Sequence, residues 1–179
     1  MLVSPTEACP LFYLAKNDPA PPLHPYIGSA HWHLPWAQNY FDQGLRFFFA
    51  FNNRESYRAF RQAAREAESH GIPCSACHWA QARALGPDLN MGEELEPDRL
   101  AAKTALDSAI EANPSPEDGE IIRALFGRYQ DCIIEDDKGS KDENKCQAIR
   151  DKDYYDGMKR VLKEFGSDDH NVITITGFR

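Results

Sequence analysis

Cys74-Ser75-Ala76-Cys77-His78 places two thiols three residues apart, with an imidazole directly after the second. This is the spacing of covalent c-type haem attachment, in which each thiol adds to one porphyrin vinyl group and the adjacent imidazole reaches the iron. Pro73 suits a helix start, which would put both thiols and the imidazole on the first turns of one helix. The same residues also fit a CxxC disulfide, half of a metal site, or two small side chains buried in a helix. On the haem reading, Cys74 and Cys77 anchor one haem c and His78 is its proximal ligand. The distal ligand is then His31 or His33, just ahead of the first expected helix. Two imidazoles leave no open position on the iron, so the expected chemistry is electron transfer to a redox partner protein. His24, His70, Met91 and His170 are weaker distal candidates. Trp32, Trp36 and Trp79 lie near these positions, either as ordinary packing residues or as an apolar wall for a porphyrin.

Other chemistries find less support. The chain has no GxSxG, P-loop, Gly-rich dinucleotide signature or HExxH. Cys77 and His78 are sequence neighbours that point to different sides of a helix, which argues against a Cys-His hydrolase. The acidic run with Asp131, Glu135, Asp136, Asp137, Asp142 and Glu143 lacks the Gly and Glu positions of an EF-hand loop and reads as solvated charge.

Composition narrows the class. The chain has 179 residues, is 42% hydrophobic and 27% charged, and suits one globular domain. Lys+Arg number 20 against 28 Asp+Glu, a formal net charge of −8, which argues against a nucleic-acid partner. No apolar run approaches the roughly 18 residues of a membrane span. Five cysteines are many for a reducing cytosol. Cys132 and Cys146 flank a polar segment, and a disulfide closing its neck is the economical reading; Cys9 is then unpaired or bonds to another chain. No leader pattern is visible at the N-terminus. Because CxxCH is loaded with haem outside the bacterial cytoplasm, the haem reading makes this a mature exported chain, periplasmic or extracellular.

The elements that must position these residues are helical. Residues 1–35 are Pro-rich and read as an extended arm, carrying His24, His31 and His33. Apolar spacing then predicts helices over Trp36–Phe51, Arg54–Ser69, Cys74–Leu85, Pro97–Ala112, Glu117–Gln130 and Ala148–Phe165. Gly71 marks the end of the second, and Gly86-Pro87 stops the third. Asn171–Thr176 alternates β-branched residues and reads as a strand. The expected fold is all-α, with an arm over 1–35, a helical domain over 36–169 and a strand-like tail over 170–179.

Gly44, Phe47, Ser56, Phe60 and Ala63 fall at the spacing of a tetratricopeptide repeat, and Ala102, Leu106, Ala109 and Pro114 repeat its second half. More specifically, Tyr40-Phe41-Asp42-Gln43-Gly44-Leu45, Phe51-Asn52, Phe60, Cys74-x-x-Cys77-x-Trp79 and Ala84-Leu85-Gly86-Pro87-Asp88-Leu89-Asn90 resemble a bacterial family of tetratricopeptide repeat proteins. That family carries YFDQGL, Cys-x-x-Cys-Tyr-Trp-Gly and ALGPNIN segments, and the resemblance spans about Gly28 to Asp169. It implies three helical hairpins, and its members often have a His near the place of His31. This chain departs in having His78 where the family has an aromatic, an inserted loop between Cys132 and Cys146, and a strand-like tail in place of further repeats. The alternative to the haem protein is therefore a haem-free interaction or assembly module with a CxxC disulfide. Without a polar capping helix, the tail would pair with the arm or with a second copy, giving a homo-oligomer or a filament.

Overall fold

The computed structural model describes residues 17–34, 36–86, 95–135, 139–140 and 142–166. These residues contain six α-helices and no strand: α1 (Gln38–Phe49), α2 (Asn53–Ser69), α3 (Ser75–Leu85), α4 (Glu96–Glu111), α5 (Pro116–Tyr129) and α6 (Glu143–Phe165). The all-α expectation holds. The expected C-terminal strand, Cys9, Met91 and His170 lie outside the described residues.

Extensive packing runs within three antiparallel pairs, α1 with α2, α3 with α4 and α5 with α6. Successive pairs then meet through α2 with α3, α4 with α5 and α3 with α5. Small residues set the closeness of each pair. A Cβ at Gly44 would lie 2.5 Å from the Phe60 ring, and Ser56 Oγ donates to the Gly44 carbonyl at 2.9 Å across the same α1–α2 contact. A Cβ at Gly157 would meet that of Ala124 at 2.6 Å, which fixes the approach of α6 to α5.

The middle helix is wrapped on nearly every side. In α3 every residue except His78 and Arg83 is buried, as expected of a helix with small apolar residues all round. Trp79 is its largest buried side chain. Its ring meets Trp32 edge-on at 5.5 Å and Phe41 at 6.0 Å. Its indole N–H donates to Asp118 Oδ1 at 2.6 Å, so the buried donor is satisfied.

Three helix ends use one device with different residues. After α2, Gly71 turns left-handed (φ 68°), its N–H bonds to Glu68 O and the Ile72 N–H to Ala67 O. After α1 the same pair of bonds runs from Phe51 to Phe48 O and from Asn52 to Phe47 O, but the left-handed residue is Phe51 (φ 58°). After α4 it is Asn113 (φ 55°). Gly and Asn accept this conformation readily, whereas Phe is strained in it.

The boundary that departs most from expectation is the start of α6, at Glu143 and not Ala148. Asp142 caps it, its side chain accepting from the Lys145 N–H at 3.1 Å while its own N–H donates to Ile134 O at 2.7 Å. The polar first turn hides this start from any apolar periodicity. Cys132 and Cys146 are joined, with Cα atoms 5.5 Å apart, so a covalent bond and a backbone hydrogen bond both close the neck of the acidic loop. Asp131, just ahead of the neck, is held by Arg99 at 3.3 Å and Lys103 at 2.9 Å, both on α4.

Candidate functional site

The thiols lie at the start of α3, and the backbone explains where they point. Cys74 is not in the helix but caps it (φ −123°, ψ 81°), and its Sγ accepts the Cys77 N–H at 3.2 Å. That turn carries Cys74 Sγ back over the first turn and onto Cys77. The two form a disulfide with Cα atoms 5.3 Å apart.

This overturns the expectation of a haem c. The two sulfurs are bonded to each other, so neither is available to a vinyl group. Both side chains are buried, Cys77 completely, and His78 is not presented beside them on an open face. Its imidazole instead floors a groove with Tyr57, Gln81 and residues of α4. Gln81 Nε2 approaches its Nδ1 at 3.5 Å. Burial pushes the His78 pKa down, with Glu68 pulling weakly the other way. Neither His31 nor His33 lines that groove. His31 Nδ1 sits 2.9 Å from Asp42 Oδ2 and remains largely exposed, and His33 is also exposed. Among the described residues, no group of three or more His, Cys, Asp or Glu side chains is placed to hold a metal ion. The electron-transfer reading rested on that haem.

The remaining histidines and tryptophans have other uses. The His24 ring packs edge-on against Phe47. His70 bonds to Glu66 O through Nδ1 at 2.8 Å and stacks on the exposed Trp36. Trp32 and Trp79 pack against one another.

The polar residues of the YFDQGL segment hold the arm, a role the sequence reading missed. Gln43 is fully buried; its Oε1 accepts the His24 N–H at 2.7 Å and its Nε2 donates to Pro22 O at 2.9 Å. One residue back, Asp42 Oδ1 accepts the Trp32 N–H at 3.1 Å and a Gln38 Nε2 proton at 2.7 Å. Gln38 Oε1 accepts the Leu34 N–H at 2.9 Å. From α2, Arg54 pairs with Asp18 at 2.7 Å, Arg58 donates to Pro19 O at 2.8 Å, and Arg61 donates to Asp18 O. The signals were legible: a Gln on the buried face of an apolar helix, and Arg at 54, 58 and 61 on one helical face.

Two concavities stand out among the described residues. A cleft of about 140 Å³ lies beside the disulfide, lined by Cys74 and Ser75, by Trp36 and Ala37 ahead of α1, and by Asn113 and Asp118. A larger groove of about 450 Å³ runs along α4, with His78 and Gln81 as its floor and Leu100, Ala101, Thr104 and Ala105 along α4. Comparison with known proteins finds no matching family model, no matching curated protein and no matching solved structure. No helix of the described residues is long and apolar enough to cross a membrane.

Proposed function

We propose that this chain is a haem-free protein-interaction module of tetratricopeptide type, which takes a peptide segment of another protein into the groove along α4. The observation that carries this reading is the groove itself, 450 Å³ across two successive helical pairs. Leu100 is 53% exposed there beside Ala101 and Ala105, while Thr104, Ser108 and Gln81 offer hydrogen-bonding groups. An apolar strip with a few polar groups is what an amphipathic or extended peptide requires. Packing that runs within each helical pair and on to the next supports the repeat architecture. Two disulfides support export to an oxidising compartment.

The test is selection of peptides against the folded full chain, followed by anisotropy titration. Peptides binding at about micromolar Kd are expected, weakened about tenfold or more by Leu100→Asp. Leu100 is exposed, so the circular-dichroism melt of the variant should match the parent. Selected peptides indifferent to Leu100→Asp, or no peptides at all, would overturn the proposal.

A further inference from the structure

The start of α3 holds more than a staple. Cys74 lines the 140 Å³ cleft, whereas Cys77 does not. Cys74 is 8% exposed and Cys77 is 0% exposed, so only the cap sulfur can be approached from the cleft. Beside it, Ser75 is 6% exposed, lines the same cleft, and has a buried Oγ with no hydrogen-bond partner. A buried hydroxyl without a partner is costly, and an incoming polar group would relieve that cost. Asp118, which lines the same cleft, is already engaged: it accepts from Trp79 Nε1 and, at 2.9 Å, from Ser115 Oγ. The helix start and the Cys77 N–H, which already points at Cys74 Sγ at 3.2 Å, would stabilise a thiolate at Cys74.

We infer that Cys74–Cys77 is a redox-active disulfide that exchanges with a peptide dithiol entering the cleft beside Ser75. A substrate thiolate attacks Cys74 Sγ, the Cys74–Cys77 bond breaks, and Cys77 leaves as a thiolate that takes up a proton. The second substrate thiol loses its proton and attacks the substrate sulfur of the mixed disulfide. Cys74 then leaves as the thiolate held by the helix start. The substrate dithiol is oxidised to a disulfide, and Cys74–Cys77 is reduced to two thiols by the same two electrons. Ser75 Oγ meets a backbone polar group of the entering peptide. The inference does not depend on the groove along α4.

The test uses the full folded chain in glutathione redox buffers, quenched by alkylation and mapped by peptide mass. Cys74–Cys77 should reach a reduced–oxidised equilibrium while Cys132–Cys146 stays oxidised. In the reduced protein, Cys74 should alkylate with a midpoint at least about one pH unit below the ordinary 8.5. Cys77→Ser should trap glutathione on Cys74. Ser75→Ala should slow exchange with a two-cysteine peptide about fivefold, the worth of one hydrogen bond, with a melt no lower than the parent's, since the unpartnered hydroxyl is removed. Reduction of Cys74–Cys77 only on unfolding, a Cys74 midpoint at or above the ordinary value, or a folded Cys77→Ser chain that traps nothing would each overturn the inference. An unchanged rate in Ser75→Ala would overturn the role of the cleft.

Discussion

Replacing Gln43 by Met should detach the arm while leaving the helices folded. Met keeps the volume of the buried side chain and removes its two polar contacts, the 2.7 Å bond from the His24 N–H and the 2.9 Å bond to Pro22 O. Each bond contributes about 1 kcal/mol net, so docking of the arm weakens by about 2 kcal/mol. That is roughly a thirtyfold rise in the opening equilibrium, at 1.4 kcal/mol per factor of ten. The loss is capped near that value, because the freed arm can turn its backbone groups to water. The informative reporter is the Trp32 amide, which Gln43 does not touch and which bonds to Asp42 at 3.1 Å. If residues 22–34 move as one unit, exchange at Trp32 should accelerate together with His24, by about the same thirtyfold. Gln43→Glu should be worse, since a buried carboxylate can still accept from His24 but has no proton for Pro22 O. Unchanged exchange at Trp32, with an unchanged denaturation midpoint, would refute the claim that Gln43 ties the arm to α1.

Phe51→Gly should stabilise the protein by about 0.5–1 kcal/mol, because Phe51 holds the left-handed position that Gly71 fills at the next helix end; urea denaturation checks it, and a loss of stability would mean that the exposed ring packs more than its position implies. Replacing Cys132 and Cys146 together by Ser should cost about 3 kcal/mol, the closure entropy of a loop with sequence separation 14; a midpoint shift below a third of that would show that the Asp142–Ile134 bond closes the neck unaided. His78 contributes a pH dependence of known sign. Its folded pKa lies below the ordinary value of about 6.5, so between the two the unfolded chain binds more protons and stability rises with pH. His78→Gln should therefore lose less stability than the parent when the pH falls from 7 toward 5, and parallel pH profiles would contradict the burial argument.

How much of this was legible in the sequence depends on whether one face of a helix carried the signal. In α2 the helical period puts Tyr57, Phe60, Ala64 and Ala67 on one face; Tyr57, Phe60 and Ala67 are buried, while Ala64 is half-buried and Ala63 is buried beside it. Gly44 and Phe60 belonged to one repeat pattern, and they touch. The start of α6 failed because Glu143-Asn144-Lys145 carries no apolar residue and a lone Asp supplies the cap. The arm clamp failed for another reason. Asp42 and Gln43 lie inside a motif whose other members are core (Phe41, Gly44 and Leu45) or packed against it (Tyr40), so the whole segment reads as packing. Polar residues on the buried face needed partners, and the Pro-rich arm was the nearest supply of unpaired backbone groups.

The same reasoning explains why the Cys-Cys-His spacing misled. Residues three apart near a helix start bring their Cα atoms within the range a disulfide requires, here 5.3 Å. The spacing that serves two porphyrin vinyl groups therefore serves an internal bond equally well. What separates them is whether both sulfurs and the imidazole share one accessible face. In a regular helix the residues at i and i+4 do share a face, but Cys74 is the cap and not the first helical residue. Its backbone turns Sγ toward Cys77, the buried side of α3, and leaves His78 to face the groove beside Tyr57 and α4. The information lay in the residues around the motif. Ala76, Trp79, Ala80 and Ala84 are all buried, and the open side of α3, at His78 and Gln81, is not the side that carries the sulfurs.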